Sequence, residues 1–261
     1  MVPRKRPVRA IPVKREPEIE NMRQAGRVVA MTFRKVGAAI RPGVTTGELN
    51  MIAEQTIRIM NAQPAFLGYN HYPATACISI NQEVVHGIPG PRVLKNGDIV
   101  GVDLGAIVDG WYADSAYTFA VGEVSEETQR LMAVGQGALD AGIAAARVGN
   151  RVRDIGAAVQ NYVEARGFSV VRDLCGHGIG HRLHEEPQVP NYPAPDGSGE
   201  VELRAGMTLA IEPMVNAGGP NVVLEPDNWT FVTADGGWSV HYEHTVLIRE
   251  NEEAEILTTL R

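Results

Sequence analysis

GDIVGVDLGAIVDGWYADSAYTF, residues 97–119, consists of two apolar arms joined at Asp109-Gly110. Asp-Gly between alternating apolar residues is a strong short-range hairpin signal. With Asp109 and Gly110 as the two turn residues, Asp114 pairs with Gly105, two positions from Asp103. An even offset puts both carboxylates on one face, as diagonal neighbours roughly 7–8 Å apart at the backbone. Aspartate is disfavoured inside strands, and two on one face repel. Two readings stay open on this stretch alone: solvent-facing acids on an edge hairpin, or a cation held between them.

Working outward, the 261 residues are 44% hydrophobic and 21% charged, enough for one large unit or two fused ones with a sizeable core. A net charge of −7 makes nucleic acid an unobvious partner, and DNA is not expected to bind. The only cysteines, Cys77 and Cys175, are far apart, which fits a reduced, cytoplasmic setting rather than a disulfide scaffold. No apolar run approaches the roughly 18 residues of a membrane span. The N-terminus has no signal-peptide core.

Residues 1–16 are expected to form a separate basic tail, extended or disordered. Arg4, Lys5, Arg6, Arg9, Lys14 and Arg15 are spaced by Pro3, Pro7 and Pro12. The tail reads as a solvated leader; the other reading is an electrostatic arm toward an acidic partner such as ribosomal RNA.

The periodicity predicts a helix over 17–40, a break at Arg41-Pro42-Gly43 and a second helix from Thr45 or Thr46. The layout returns 106 residues later: a capped helix over 125–146, a break at Arg147-Val148-Gly149, and a helix over 152–166. Each pair leads into strands, the last expected over 207–215, 229–233 and 239–248. Two such halves, 17–123 and 124–261, can share one curved sheet with helices outside and a cleft at the pseudo-two-fold.

Two more acids stand where strands place apolar residues: Glu212 just before Pro213, and Glu243 within HYEHTVLI. Singly, each reads as a solvent-facing strand residue, and His177, between Gly176 and Gly178, as a turn histidine. Together they make four carboxylates and one imidazole. Buried in a cluster, these would repel strongly without cations. An oxygen-rich set with one nitrogen suits one or two divalent ions of the manganese, iron, cobalt or zinc kind.

CISINQEVVHGIP (77–89), residues 97–116, GHGIGHRLHEEP (176–187), MTLAIEPM (207–214) and HYEHT (241–245) together carry a resemblance. From about residue 17 to 258 the chain resembles the type I, bacterial-kind methionine aminopeptidases. The resemblance implies the pita-bread fold, a duplicated α/β (α+β) arrangement with a curved antiparallel sheet, as a single catalytic domain over 17–261. It implies two divalent ions of the cobalt, manganese, iron, zinc or nickel class on Asp103, Asp114, His177, Glu212 and Glu243, with Asp114 and Glu243 bridging. It places His86 and His184 against the substrate and lines a methionine pocket with Phe66, Tyr69, Tyr72, Cys77, Leu183 and Trp229. For the aromatics, ordinary core packing is the competing reading.

The activity implied is removal of the N-terminal methionine from nascent proteins and peptides by water attack on the first peptide bond, preferring a small second residue. Glu212 would carry the proton, His184 the oxyanion, and His86 would meet the scissile amide. The chain is expected to be a cytoplasmic monomer, with the basic tail as a ribosome-binding arm under the second reading. Two alternatives are a proline-directed aminopeptidase or dipeptidase of the same fold, and a non-catalytic binding protein on it. The first usually adds a large N-terminal domain, and the second predicts lost ligands. Some positions depart from the pattern. Asn70-His71 stands where many relatives have His-Gly, Phe66 and Leu183 where some have Cys and Phe, and Gln82 lengthens the loop before His86. His181 and His241 are extra, and both are expected to be peripheral.

Overall fold

The computed structural model of the chain describes residues 11–250 and 252–259. The central hairpin forms in the expected register. Val108 pairs with Trp111, Gly105 with Asp114 and Asp103 with Ala116. Asp109 and Gly110 take φ of 49° and 81°, the left-handed pair that a two-residue turn needs to match the twist of its arms.

Four helices form at the expected places: α1 (Glu16–Ala39), α2 (Thr46–Ile59), α3 (Glu126–Ala145) and α4 (Val152–Glu164). Their starts follow from local chemistry. The Thr45 hydroxyl accepts the Glu48 amide while the Glu48 carboxylate accepts the Thr45 amide, a reciprocal cap. Ser125 caps α3 by accepting from the Thr128 amide.

The main sheet is antiparallel throughout. Its principal strands are β1 (Ala76–Ile80), β2 (Ile99–Val108), β3 (Trp111–Ala120), β4 (Cys175–Gly178), β5 (Glu185–Pro190), β6 (Thr208–Ile211) and β7 (Glu243–Leu247). The spatial order is β1-β2-β3-β7-β6-β4-β5, so the first half supplies one side and the second half the other. Each half has its own core. Val29, Leu49, Ile57, Ile78 and Leu104 pack α1 and α2 on one side, and Leu139, Ile155, Val159, Leu209 and Ile211 pack α3 and α4 on the other. Burying each such side chain stabilises the fold by about 1.5–3 kcal/mol.

Two expected strands are broken, and the breaks matter. The 207–215 stretch splits into β6 and Met214–Asn216, with Glu212-Pro213 as the step between them. The 239–248 stretch splits into Ser239–His241 and β7, with Tyr242 between. The outer pieces leave the main sheet and pair with each other, Met214 opposite His241, beside Ser169–Val170. Pro213 has no amide hydrogen to donate to a ladder, so the chain changes sheets there. The 229–233 stretch shortens to Phe231–Thr233, because the Asp227 carboxylate accepts the Trp229 and Thr230 amides, both at 2.8 Å, and makes a turn instead.

The tail expected over 1–16 needs a correction at its C-terminal end. Residues 1–10 lie outside the described residues. Lys14, placed by its sequence in a solvated leader, is buried. Its amide donates to the Gly206 carbonyl at 2.8 Å and its ammonium to Glu185 at 2.7 Å. A distant carboxylate captures it, which local composition does not reveal. Among the described residues, no helix is long and apolar enough to cross a membrane.

Candidate metal centre

Five adjacent strands each deliver one of the five expected residues. Asp103 comes from β2, Asp114 from β3, Glu243 from the start of β7, Glu212 from just past β6, and His177 from β4. Asp114, Glu243 and His177 are buried, at 4%, 2% and 7% exposure, and Asp103 and Glu212 are half-buried. One ligand atom from each of Asp114, His177 and Glu243 falls within 4.8 Å of the others. His177 Nε2 lies 3.6 Å from Glu212 Oε1 and 4.0 Å from Asp114 Oδ2.

His177 sits in a strand, not a turn, and its glycine neighbours explain how. A Cβ at Gly176 would come within 2.3 Å of the Ala210 carbonyl, and one at Gly178 within 2.2 Å of the Glu186 carbonyl. Only glycine lets three strands close this tightly around the imidazole. Asp114 is fixed through its backbone, its amide and carbonyl both bonded to the Thr245 hydroxyl on β7. The Glu212 carbonyl accepts from Asn191 at 3.0 Å.

The electrostatics point to cations. His177 Nδ1 donates to the Gly178 carbonyl at 2.9 Å, so Nε2 presents a lone pair to the carboxylates. Asp103 Oδ1, Asp114 Oδ1 and Glu243 Oε1 are buried without any hydrogen-bond partner. A cage of acceptors facing acceptors suits a positive charge. Burial and then the neighbouring carboxylates push Asp103 and Glu243 far above the ordinary carboxylate range. Burial raises Asp114 to about 7, and raises Glu212 as well, with Asp114 adding to it. Burial, then His184, lowers His177 to about 3, so it is neutral and free to ligate. These residues fit a divalent centre in donor type, geometry and unsatisfied charge.

The same carboxylates form the floor of a cavity of about 210 Å³. Phe66, Tyr69, Tyr72, Cys77, Leu183 and Trp229 wall it, and Asn70, one of the positions that depart from the family pattern, joins them. Tyr72 stands edge-on to Trp229, ring centres 5.0 Å apart, and its hydroxyl donates to the Gly87 carbonyl at 2.9 Å. That bond anchors the residue next to His86. His86 itself takes φ of 62°, a strained value for histidine, and faces Trp229 and Phe231. Burial lowers it to about 4.

His184 also lines the cavity, 4.3 Å from His177 between ring centres. Its Nδ1 is 2.6 Å from the Tyr69 hydroxyl, and burial lowers its pKa. A larger groove of about 680 Å³ adjoins through His177 and His184 and is bordered by residues 12–14, Trp111 and Glu185.

Of the two extra histidines, His181 is peripheral: it is exposed and stacks on Trp111, ring centres 3.7 Å apart. His241 is not. It is 4% exposed, and its Nε2 lies 3.6 Å from Glu212 Oε2. A signal was present, since His241 and Glu243 alternate at i and i+2, where strand residues share a face. The local break at Tyr242 hid which sheet each belongs to.

The profile of Metallopeptidase family M24 matches residues 20–250. A methionine aminopeptidase of Clostridium acetobutylicum is 50% identical over 247 residues, covering 94% of this chain and 98% of that protein. Methionine aminopeptidase 1 of Bacillus subtilis is 48% identical over 233 residues, covering 89% and 93%. The crystal structure of the Thermotoga maritima methionine aminopeptidase superposes with a TM-score of 0.92 at 46% identity, covering 96% of this chain and all of that one. A prolidase from Pyrococcus furiosus shares the fold at a TM-score of 0.77 and 23% identity, with this chain spanning 66% of it. The duplicated helix-pair-and-strand layout is therefore the pita-bread fold, and the chain belongs to metallopeptidase family M24.

Proposed function

We infer that the protein is a methionine aminopeptidase. It removes the N-terminal methionine of peptides and depends on divalent metal. The observation that carries this reading is the convergence of five strands on a buried acceptor cage, set under an apolar pocket of side-chain size. The pocket suits methionine, whose flexible thioether packs well against aromatic rings. The coverage of full-length methionine aminopeptidases at 48–50% identity supports the same substrate over the proline-directed alternative. We further propose two ions, which Asp103, Asp114, His177, Glu212 and Glu243 would hold. The activity is assigned to nascent chains in the cytoplasm.

Bound divalent ions supply Lewis acidity and bring the ionisation of a water molecule near neutral pH. The chain's own groups do the rest. Glu212 accepts the proton of the attacking water and passes it to the leaving amine. The Tyr69 hydroxyl donates to His184 Nδ1, which leaves the proton of a neutral imidazole on Nε2. That N–H is then the donor for the oxygen of the first peptide carbonyl as negative charge develops there. His86, held neutral by burial, hydrogen-bonds the scissile amide. The aromatic walls exclude water around the methionine side chain.

The test is a peptide series with metal added. Met-Gly, Met-Ala and Met-Ser peptides are cut far faster than Met-Leu or Met-Lys. Ala-Pro is not cut. Faster cleavage of Ala-Pro than of Met-Ala contradicts the assignment.

A further inference from the structure

His241 has no assigned task, yet it is one of the most enclosed polar side chains near the centre. Its backbone is pinned on both sides: the Thr118 hydroxyl donates to its carbonyl at 2.9 Å and accepts from its amide at 3.0 Å. It pairs with Met214, two residues beyond Glu212. That register brings the imidazole alongside the Glu212 carboxylate. Nε2 is buried without a hydrogen-bond partner, and the carboxylate oxygen Oε2 is 3.6 Å away. A gap this size is a few tenths of an ångström beyond a hydrogen bond and closes with a small rotation of either side chain.

Glu212 is therefore straddled. Oε1 faces the Nε2 lone pair of His177 at 3.6 Å, and Oε2 faces His241 at 3.6 Å. The two imidazoles are not equivalent. His177 spends its proton on the Gly178 carbonyl, so it offers Glu212 only a lone pair. Two lone-pair carriers meeting at one carboxylate require a cation, and that is the His177 side. On the His241 side, a neutral imidazole beside a carboxylate keeps its one proton on the nitrogen that faces it.

We propose that His241 is a positioning residue for Glu212, its Nε2–H holding Oε2 so that Oε1 is presented to the metal centre beside His177. This rests on Glu212 being both a ligand and the proton carrier. An outer donor of this kind fixes the orientation of a ligating carboxylate and decides which oxygen is left for the water.

The experiment compares the native protein with His241→Gln, His241→Asn and His241→Leu. Mn²⁺ affinity is measured by competition with a chelating dye, alongside kcat, KM and the thermal midpoint of the metal-free protein. Glutamine carries an amide donor at similar reach and keeps affinity and kcat within a few-fold of native. Asparagine is too short and leucine has no donor; each weakens Mn²⁺ binding about 10–100-fold and lowers kcat with KM little changed. Native affinity in His241→Leu overturns the proposal. So does equal loss in His241→Gln and His241→Leu, which makes the ring a space-filler. Should the leucine variant fail to fold, the glutamine and asparagine pair decides by the same criterion. If the native protein binds no Mn²⁺, the reading of Glu212 as a ligand fails, and this proposal with it.

Discussion

In the proposed mechanism Tyr69 acts through His184. The tyrosine hydroxyl lies 2.6 Å from Nδ1, and with the hydroxyl as donor the imidazole proton stays on Nε2. His184→Ala lowers kcat about 10²–10³-fold, as for other oxyanion donors, with KM little changed and metal content intact. Tyr69→Phe keeps the ring and loses the hydroxyl. One neutral hydrogen bond is worth about 1 kcal/mol, so kcat falls roughly fivefold. Steady-state kinetics with metal analysis checks both. Loss of metal in proportion to activity in His184→Ala contradicts the oxyanion role. At this scale the sequence was informative where a residue violates its local context. Asp103, Asp114, Glu212 and Glu243 each interrupt an apolar strand, and His177 sits between glycines that nothing local requires. His241 violates nothing locally, and its place depends on which distant strands close around it.

At the scale of elements, the hairpin register followed from Asp109-Gly110 alone, because a two-residue turn leaves one pairing. The path of the N-terminal segment did not follow from composition. Residues 11–15 run along the body into α1, and Lys14 locks them to the loop that carries His184. The Lys14 and Glu185 side chains are 4% and 9% exposed. Glu185 uses one oxygen for Lys14 and the other for the Arg182 amide at 3.2 Å, so the clamp closes the turn around His184. Burial lowers the Lys14 pKa, and the pairing with Glu185 opposes that shift. Lys14→Met strands a buried carboxylate and costs about 3–5 kcal/mol. Glu185→Gln added to it recovers part of that loss. Chemical denaturation of the two variants checks this, and an unchanged midpoint in Lys14→Met contradicts the clamp.

For the whole molecule, the titrating groups set the pH response of the metal-free protein. The centre's carboxylates have folded pKa values raised by burial, with Asp114 at about 7 and Asp103, Glu212 and Glu243 higher than ordinary. A raised folded pKa gives stability that is present below the unfolded value and lost as pH rises through the folded one. His86, His177 and His241 are depressed to about 4, 3 and 3, and their contribution is lost as pH falls below the unfolded value. Below roughly pH 6.5 the two sets oppose each other; above it, of these two sets, only the carboxylates act. The metal-free thermal midpoint therefore falls as pH rises from about 6.5 through the Asp114 value of about 7. Loading with Mn²⁺ reverses the slope, because metal and protons compete for the same oxygens. A flat metal-free profile over that range contradicts the buried cage. The two-half architecture was legible from the repeated helix-break-helix. The crossing of the chain between two sheets at Pro213 and Tyr242 was not, because it depends on pairing between segments that read as continuous strands.

The most direct measurement is the rate of methionine release from a Met-Ala-Ser peptide by protein stripped with chelator, then titrated with Mn²⁺ or Co²⁺. The account predicts no release in excess chelator and recovery on adding either ion. Asp114→Asn and Glu243→Gln should not recover, since each is a proposed ligand buried in the cage. Full release in excess chelator, or native recovery in both variants, contradicts the metal centre as the source of activity.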